Sequence, residues 1–201
     1  MKIIRLSFFL LLVTACQPSN SQSNQALSIT LGQDEARIQE ETARSELYDL
    51  HKKYDLDKWI FTRKIIVKTG VISHSHPVLT INTKHIGDET ATLATYLHEQ
   101  FHWYLEENSP SLEKAIADLR IAYPNIPKKR PRAARSDYST YLHLIVCALE
   151  FDALSVLVGE GPARAELESK SYYTWVYEQV LENDRGIRAA MKKHKIELPG
   201  K

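Results

Sequence analysis

The sequence predicts a mainly helical α+β domain in which a short β-hairpin or sheet precedes the central helix. Two long segments, 89–107 and 140–159, have no internal glycine or proline and are rich in apolar residues. Two short runs of β-branched residues, 64–68 and 78–82, precede both segments. The roughly 175 residues that follow a polar N-terminal stretch are enough for one domain with its own core.

The N-terminus has the pattern of an export signal. A basic start leads into an apolar run, 6–13, that is too short to span a bilayer as an ordinary transmembrane helix. The ending Val-Thr-Ala-Cys resembles a bacterial lipoprotein signal. This resemblance implies removal of residues 1–15 and lipidation of Cys16, and Gln17 after the cysteine favours the outer membrane, facing the periplasm. An ordinary signal peptide with a coincidental cysteine is the alternative.

After this signal the sequence predicts a tether and then a single domain. Residues 16–26 contain the cysteine and a polar, uncharged stretch typical of a flexible linker, and residues 27–201 form the domain. Without residues 1–15 the chain has 24 basic and 25 acidic residues, which argues against a nucleic-acid partner. Lipidation of Cys16 leaves Cys147 as the remaining thiol, so no intramolecular disulfide is expected. The membrane is expected as a partner through the lipid.

The first half of the domain is predicted to hold one helix and two strands. Charges and apolar spacing favour a helix from residue 33 to about residue 53. The runs 64–68 and 78–82 are separated by Gly70, Ser73 and Ser75, which favours two strands of a hairpin joined by a long loop. Three histidines in or after this loop are predicted to be solvated rather than to bind a metal: His74, His76 and His85.

The central predicted helix carries the most informative motif of the chain, an HExxH sequence at 98–102. The helix is predicted from Glu89 to Glu107, with Asp88 as its N-cap. Residues four apart lie on the same face, so His98 and His102 can bind one zinc ion. Glu99 between them can act as general base toward a water on that ion. The alternative is a surface helix that carries these residues by accident.

A later apolar helix offers candidates for a third protein ligand. A catalytic zinc commonly takes three protein ligands and one water. At 100° per residue, His143, Cys147 and Glu150 share one face of the predicted helix 140–159. An imidazole or carboxylate buried on that face needs a partner, because its desolvation alone is costly. Cys147 is the least favoured, because a thiolate beside an exported catalytic zinc would be oxidised. Both His143 and Glu150 stay open at this point.

The HExxH motif together with Glu150 resembles the zincin metallopeptidases, and among them the gluzincins, in which a glutamate from a later helix completes the site. The resemblance implies a zincin-like domain with one Zn²⁺. It implies these metal ligands: His98, His102 and Glu150, with His143 as the runner-up. It also implies that the strand 78–82 is an edge strand that pairs with an extended substrate. Gluzincins often have an aspartate four residues after the glutamate, where this chain has Leu154.

Two further segments offer functional side chains. Tyr173 and Tyr177 lie four apart on a predicted helix, so either could act as a catalytic residue that stabilises an oxyanion, and packing in the core is the alternative. A basic cluster lies in the proline-rich segment 123–135, where a solvated loop is favoured over contact with lipid headgroups or an acidic substrate. The cluster consists of Lys128, Lys129, Arg130, Arg132 and Arg135.

These observations predict a zinc metallopeptidase that cleaves peptide bonds in the bacterial cell envelope, with a peptide or protein as substrate. The rival hypothesis is a non-catalytic zinc-binding envelope lipoprotein, because structural zinc is usually closed by four protein ligands. Those four would be His98, His102, His143 and Glu150. A zinc amidase that acts on cell-wall peptides is a third possibility, which shares the site and differs in substrate.

Overall fold

The computed structural model describes residues 26–32 and 37–200, so the export signal, Cys16 and most of the predicted tether lie outside the described residues. The strands are β1 (Ser28–Leu31), β2 (Lys64–Val67) and β3 (Leu79–Ile81). The helices are α1 (Arg37–Lys53), α2 (Glu89–Glu107), α3 (Ser109–Ala122), α4 (Asp137–Val158), α5 (Glu160–Glu168), α6 (Thr174–Glu182) and α7 (Arg185–Lys193), with a 3-10 turn at Asp57–Trp59. The predicted mainly helical α+β class is confirmed.

The three strands form one parallel sheet in the order β1-β2-β3. α1 carries the chain from the end of β1 back to the start of β2, because parallel neighbours need a crossover connection. Ile29, Ile65 and Leu79, one from each strand, are buried in the core. Nothing in the sequence predicts β1, because its four residues are too few to show a period and they follow a polar tether.

The predicted hairpin is wrong, although both of its strands lie where the sequence places them. β2 and β3 run parallel, with Ile65 opposite Leu79. The chain reverses direction between the segment around His74 and β3, because this segment runs antiparallel to β3. There the Thr80 N–H donates to the His74 carbonyl (2.8 Å) and the His74 N–H donates to the Thr80 carbonyl (3.0 Å). A β-branched run shows the same pattern in either direction, so the path of the connection decides the pairing.

α2 runs through the core rather than over the surface. All residues from Ala91 to Phe101 are buried, and the bounds of the helix and its Asp88 N-cap are those that the sequence predicts. The fully buried Gln100 amide ties α2 to the chain ahead of β2. Its Oε1 accepts from the Phe61 N–H (2.9 Å) and the Thr62 N–H (3.0 Å), and its Nε2 donates to the Thr62 carbonyl (2.9 Å). The alternative of a surface helix is therefore wrong.

α4 is the second core helix and packs against α2, α5 and α6. It begins one turn earlier than predicted, because the Ser136 side chain caps it by accepting from the Ser139 N–H (3.1 Å). Gly159 ends it with a φ of 89°, a conformation that favours glycine. By length and composition α4 could cross a membrane, but 61% of its apolar window is buried inside the fold, as in the core helix of a globular protein.

Candidate metal centre

α2 and α4 bring three imidazoles together, which we call the histidine triangle: His98, His102 and His143. The ring centroids of His98 and His102 are 5.1 Å apart, those of His98 and His143 are 5.3 Å apart, and those of His102 and His143 are 5.0 Å apart. One ligand nitrogen from each lies within 4.8 Å of the other two. Imidazole nitrogens gathered around one point in this way are a donor set that suits zinc.

Glu150 orients the first of these imidazoles. Its Oε2 accepts from the His98 Nδ1–H at 2.8 Å and from the Tyr177 hydroxyl at 3.3 Å, and its side chain is only 1% exposed. An ionised carboxylate can only accept, so the shared proton lies on Nδ1, and loss of the Nε2 proton leaves the lone pair of His98 Nε2 for a metal. Histidines that bind metals usually donate their other ring N–H to a carboxylate or a carbonyl. Glu150 therefore fits the role of a positioning residue.

The backbone of α4 orients the imidazole of His143, which also carries its proton on Nδ1. His143 Nδ1 donates to the Ser139 carbonyl at 2.5 Å, one turn earlier on the helix, so His143 Nε2 carries the free lone pair. Burial, together with the charge of His98, lowers the pKa of His143 to about 3. Burial also lowers the pKa of His102 well below its ordinary value. Both side chains are therefore neutral near pH 7, which is the form that binds a metal.

Cys147 lies behind the triangle rather than in front of it. It is fully buried, and burial raises the pKa of its thiol. Its Sγ lies within 4.8 Å of ligand atoms of His98 and Glu150, so these three form a second possible metal set. Burial opposes protonation of His98, but hydrogen bonds to Cys147 and Glu150 raise its pKa well above the usual value. Cys147 does not line the cavity described next, whereas His98 and Glu150 do.

A cavity of about 700 Å³ opens over the triangle. Its floor consists of the three histidines with Glu99 and Glu150, and its walls come mainly from loops, including residues 70–75 and 82–85 and parts of 130–133 and 170–173. The volume is in the range typical of small-molecule and peptide pockets. The predicted edge role of 78–82 does not fit this arrangement, because His74 already pairs with both backbone groups of Thr80 and the segment 70–75 lies at the cavity instead.

Glu99 lines the cavity beside the triangle and is 7% exposed. Burial raises the pKa of its carboxyl group, and the positive charge of protonated His98 opposes part of that rise. No group within residues 26–32 and 37–200 donates a hydrogen bond to this carboxylate, whereas Glu150 accepts two. A buried carboxylate without a protein donor is free to accept a proton from a ligand in the cavity.

The two tyrosines that the sequence singled out have different surroundings. The ring of Tyr173 lies 4.2 Å from that of His143, on the cavity wall, and Tyr173 is the N-cap of α6 with a φ of 53°. That conformation is uncommon for a residue with a side chain, and such residues cluster at functional sites. Tyr177, one turn further on, donates its hydroxyl to Glu150. Tyr173 can therefore reach a ligand, and Tyr177 supports the residue that orients His98.

The loop histidines lie outside the triangle, and His74 and His76 are exposed as the sequence predicts, whereas His85 is half-buried. His74 Nδ1 donates to the Ile72 carbonyl at 2.8 Å. His76 stacks on Trp103, with 4.3 Å between the ring centroids, and its Nε2 is 2.6 Å from a carboxylate oxygen of Glu106. His85 lines the cavity wall, where burial and then the charge of Lys170 lower its pKa.

Several cavity residues carry no sequence signal that would have found them. Lys84, Lys170 and Tyr172 lie in short connections without a motif. Arg130 belongs to the basic cluster, for which contact with an acidic substrate is the alternative, but the sequence does not distinguish it from the other basic residues of its loop. Their place at the cavity follows from where the loops cross the ends of α2 and α4, which no local pattern encodes.

No family model, curated protein or solved structure matches the chain. The similarity to zincins therefore consists of the HExxH motif and a helix-borne site that suits a metal. That similarity is a hypothesis.

Proposed function

We propose that the chain is a zinc-dependent hydrolase that cleaves peptide bonds, a metallopeptidase of the cell envelope. The observation that carries the proposal is the histidine triangle at the floor of an open cavity, with Glu99 beside it. Catalytic zinc keeps a position open to water and substrate, whereas structural zinc is closed by four protein ligands. The cavity over the triangle therefore favours the enzyme over the non-catalytic zinc-binding lipoprotein.

His143, rather than Glu150, is the third ligand in this proposal. Glu150 already accepts hydrogen bonds from His98 and Tyr177, so its nearer oxygen is engaged in holding an imidazole. His143 presents a free Nε2 to the same point as the two α2 histidines. The proposed ligand set therefore has three histidines, which departs from the glutamate ligand that the gluzincin resemblance implied.

The residues around the triangle have distinct proposed roles. Zinc bound there would polarise a substrate carbonyl and acidify a water molecule. Glu99 takes a proton from the attacking water and delivers it to the leaving amine, because its carboxylate has no competing donor and burial raises its pKa toward the working range of a general base. Tyr173 donates a hydrogen bond to the oxyanion from the cavity wall. Tyr177 holds Glu150, which holds His98.

The cellular setting of the proposal comes from the N-terminal pattern. A lipid on Cys16 would anchor the domain in the envelope, in the outer membrane facing the periplasm, with a polar tether between lipid and domain. Exported proteins and cell-wall peptides are the substrates available there. A zinc amidase that acts on cell-wall peptides would use the same triangle and the same general base.

The test of this function is the variant Glu99→Gln in the zinc-loaded full chain. We expect it to keep one zinc per chain and to lose about 10²–10⁴-fold in peptide turnover, because the general base is gone and the ligands are intact. Zinc content and hydrolysis of a mixed peptide library are measured together. The matched control is Glu107→Gln, which removes an exposed carboxylate from the same helix and should leave both unchanged.

Two results would contradict the proposal. One is peptide turnover in Glu99→Gln at the level of the Glu107→Gln control. The other is X-ray absorption of the zinc-loaded chain that shows four protein ligands and no water, because a closed shell supports the structural role instead.

A further inference from the structure

The walls of the cavity carry an excess of positive charge. Among the described residues that line it, the basic wall residues are Lys84, Arg130 and Lys170. The acidic residues that line it are Glu99 and Glu150, and both belong to the proposed metal centre. The whole chain has 26 basic and 25 acidic residues, so the imbalance is local to this cavity.

Lys84 and Lys170 lie at the part of the wall near His85. Lys170 is buried and its Nζ donates to the Glu166 carboxylate on α5, so its charge is balanced within the protein. Lys84 is exposed and makes no ion pair with any group in residues 26–32 and 37–200. After burial, the charges of Lys170 and Lys84 lower the pKa of His85, which agrees with both cations lying close to that wall.

Arg130 lies near the proposed oxyanion residue. Both residues line the cavity, and the Thr174 N–H next to Tyr173 donates to the carbonyl of Pro131 next to Arg130 (3.2 Å), so the loop of Arg130 packs against the start of α6. Arg130 is exposed and has no carboxylate partner in the part of the chain that the structure describes. Lys128, two residues earlier in the same loop, differs in that its Nζ pairs with Asp137 at 2.6 Å. Arg130 therefore presents an uncompensated guanidinium to the cavity.

We propose that this site selects peptides that carry a carboxylate close to the scissile bond, bound by Arg130 with added attraction from Lys84. The inference rests on the proposed peptide hydrolysis and names its substrate class. Arginine suits this role, because its planar guanidinium donates two parallel hydrogen bonds to a carboxylate. A wall without acidic side chains adds no repulsion that would oppose such a substrate. The carboxylate comes either from the C-terminus of the substrate or from an acidic side chain.

Two matched peptide series distinguish these sources. In the first series, peptides with a free C-terminus are compared with their C-terminal amides. In the second, glutamate is compared with glutamine at each position that flanks the cleaved bond. We expect the charged member of at least one series to have a kcat/KM about tenfold above that of its neutral partner. Raising the salt concentration should shrink this ratio, because the interaction is partly exposed.

The variant Arg130→Gln should remove most of the preference, measured as the ratio of kcat/KM between the charged and the neutral member of each pair, so that any effect common to both peptides cancels. Its control is Lys129→Gln, which removes the same charge from the neighbouring position of the same loop but does not touch the cavity. If Lys129→Gln and Arg130→Gln lower the preference equally, the net charge of the loop is responsible and the inference is overturned.

Binding to the zinc-loaded Glu99→Gln variant separates this inference from the proposed function. Calorimetry with the same peptides should show the charged member binding about tenfold more tightly, and adding Arg130→Gln should abolish that difference. This result supports the inference even if the wild-type chain hydrolyses none of the peptides. Equal binding of charged and neutral peptides overturns it, even if the wild-type chain hydrolyses both.

Discussion

The floor of the cavity rests on two buried helices, whereas its walls rest on loops. On the floor, Glu150 holds His98 and the Ser139 carbonyl holds His143, so the imidazoles are oriented before any ligand arrives. On the walls, residues 70–75 alternate between exposed and half-buried, and Ile72 is 81% exposed. A rigid floor suits bond-making chemistry, which tolerates little displacement, and loops suit recognition, which varies with the substrate.

The floor itself contains two buried glutamates that differ in how firmly they are held. Glu150 is held by two donors and has no freedom to exchange protons with a ligand, whereas Glu99 has no donor in the described part of the chain. The first is suited to hold geometry and the second to transfer protons. Four substitutions test the contrast between floor and walls.

The largest effect is expected for His143→Ala, which removes a proposed zinc ligand from the floor of the cavity. We expect zinc to be lost on dialysis and kcat/KM to fall by at least about 10³-fold, beyond the 10–100-fold typical of outer partners. Metal analysis and peptide assays measure both. Cys147→Ala on the same helix is the control. If Cys147→Ala loses zinc and His143→Ala keeps it, the ion binds the set His98, Cys147 and Glu150 instead.

A smaller effect is expected for Tyr173→Phe, because Tyr173 lies on the cavity wall next to His143 of the floor. Loss of one oxyanion donor should lower kcat by about 10²-fold with zinc content unchanged and KM nearly so. Tyr172→Phe removes a neighbouring hydroxyl from the same cavity and should change kcat little. Equal kcat values for Tyr173→Phe and the wild-type chain would rule Tyr173 out as the oxyanion donor.

The variant Glu150→Gln tests positioning within the floor. Glutamine can still accept from His98 Nδ1 but without a charge, so we expect zinc affinity to fall by about 10–100-fold and saturating zinc to restore most of the activity. Competition with a chromophoric chelator measures the affinity. A loss of zinc as complete as in His143→Ala would make Glu150 a ligand after all.

The smallest effect is expected on the walls, for Ser73→Ala. The Ser73 hydroxyl accepts from the Asn82 N–H at 3.0 Å and joins the two loops 70–75 and 82–85. Its loss should cost about 1 kcal/mol of unfolding free energy and raise KM a few-fold, because the wall loosens while the floor stays intact. Thermal unfolding and steady-state kinetics measure these changes. A fall in kcat with KM unchanged would contradict the division between floor and walls.

The sequence predicted the parts of the site that lie within one helix. Asp88, the bounds of α2 and the spacing of His98 and His102 follow from local rules of capping and helical period. The preference for Glu150 as a ligand came from resemblance, and the sequence could not show that its carboxylate would meet His98 Nδ1. The hairpin failed for the same reason, because strand direction depends on how residues 68–78 return to the sheet.

Sequence alone predicts two helix faces with candidate metal ligands, one on α2 and one on α4, because a helix repeats its side-chain directions every few residues whatever surrounds it. Only the tertiary structure decided which side chains of α4 face the α2 histidines and that Arg130 reaches the same cavity. The rotation of one helix against another, and the path of a loop over both, depend on the packing of the whole core, which residues far apart in the chain build together.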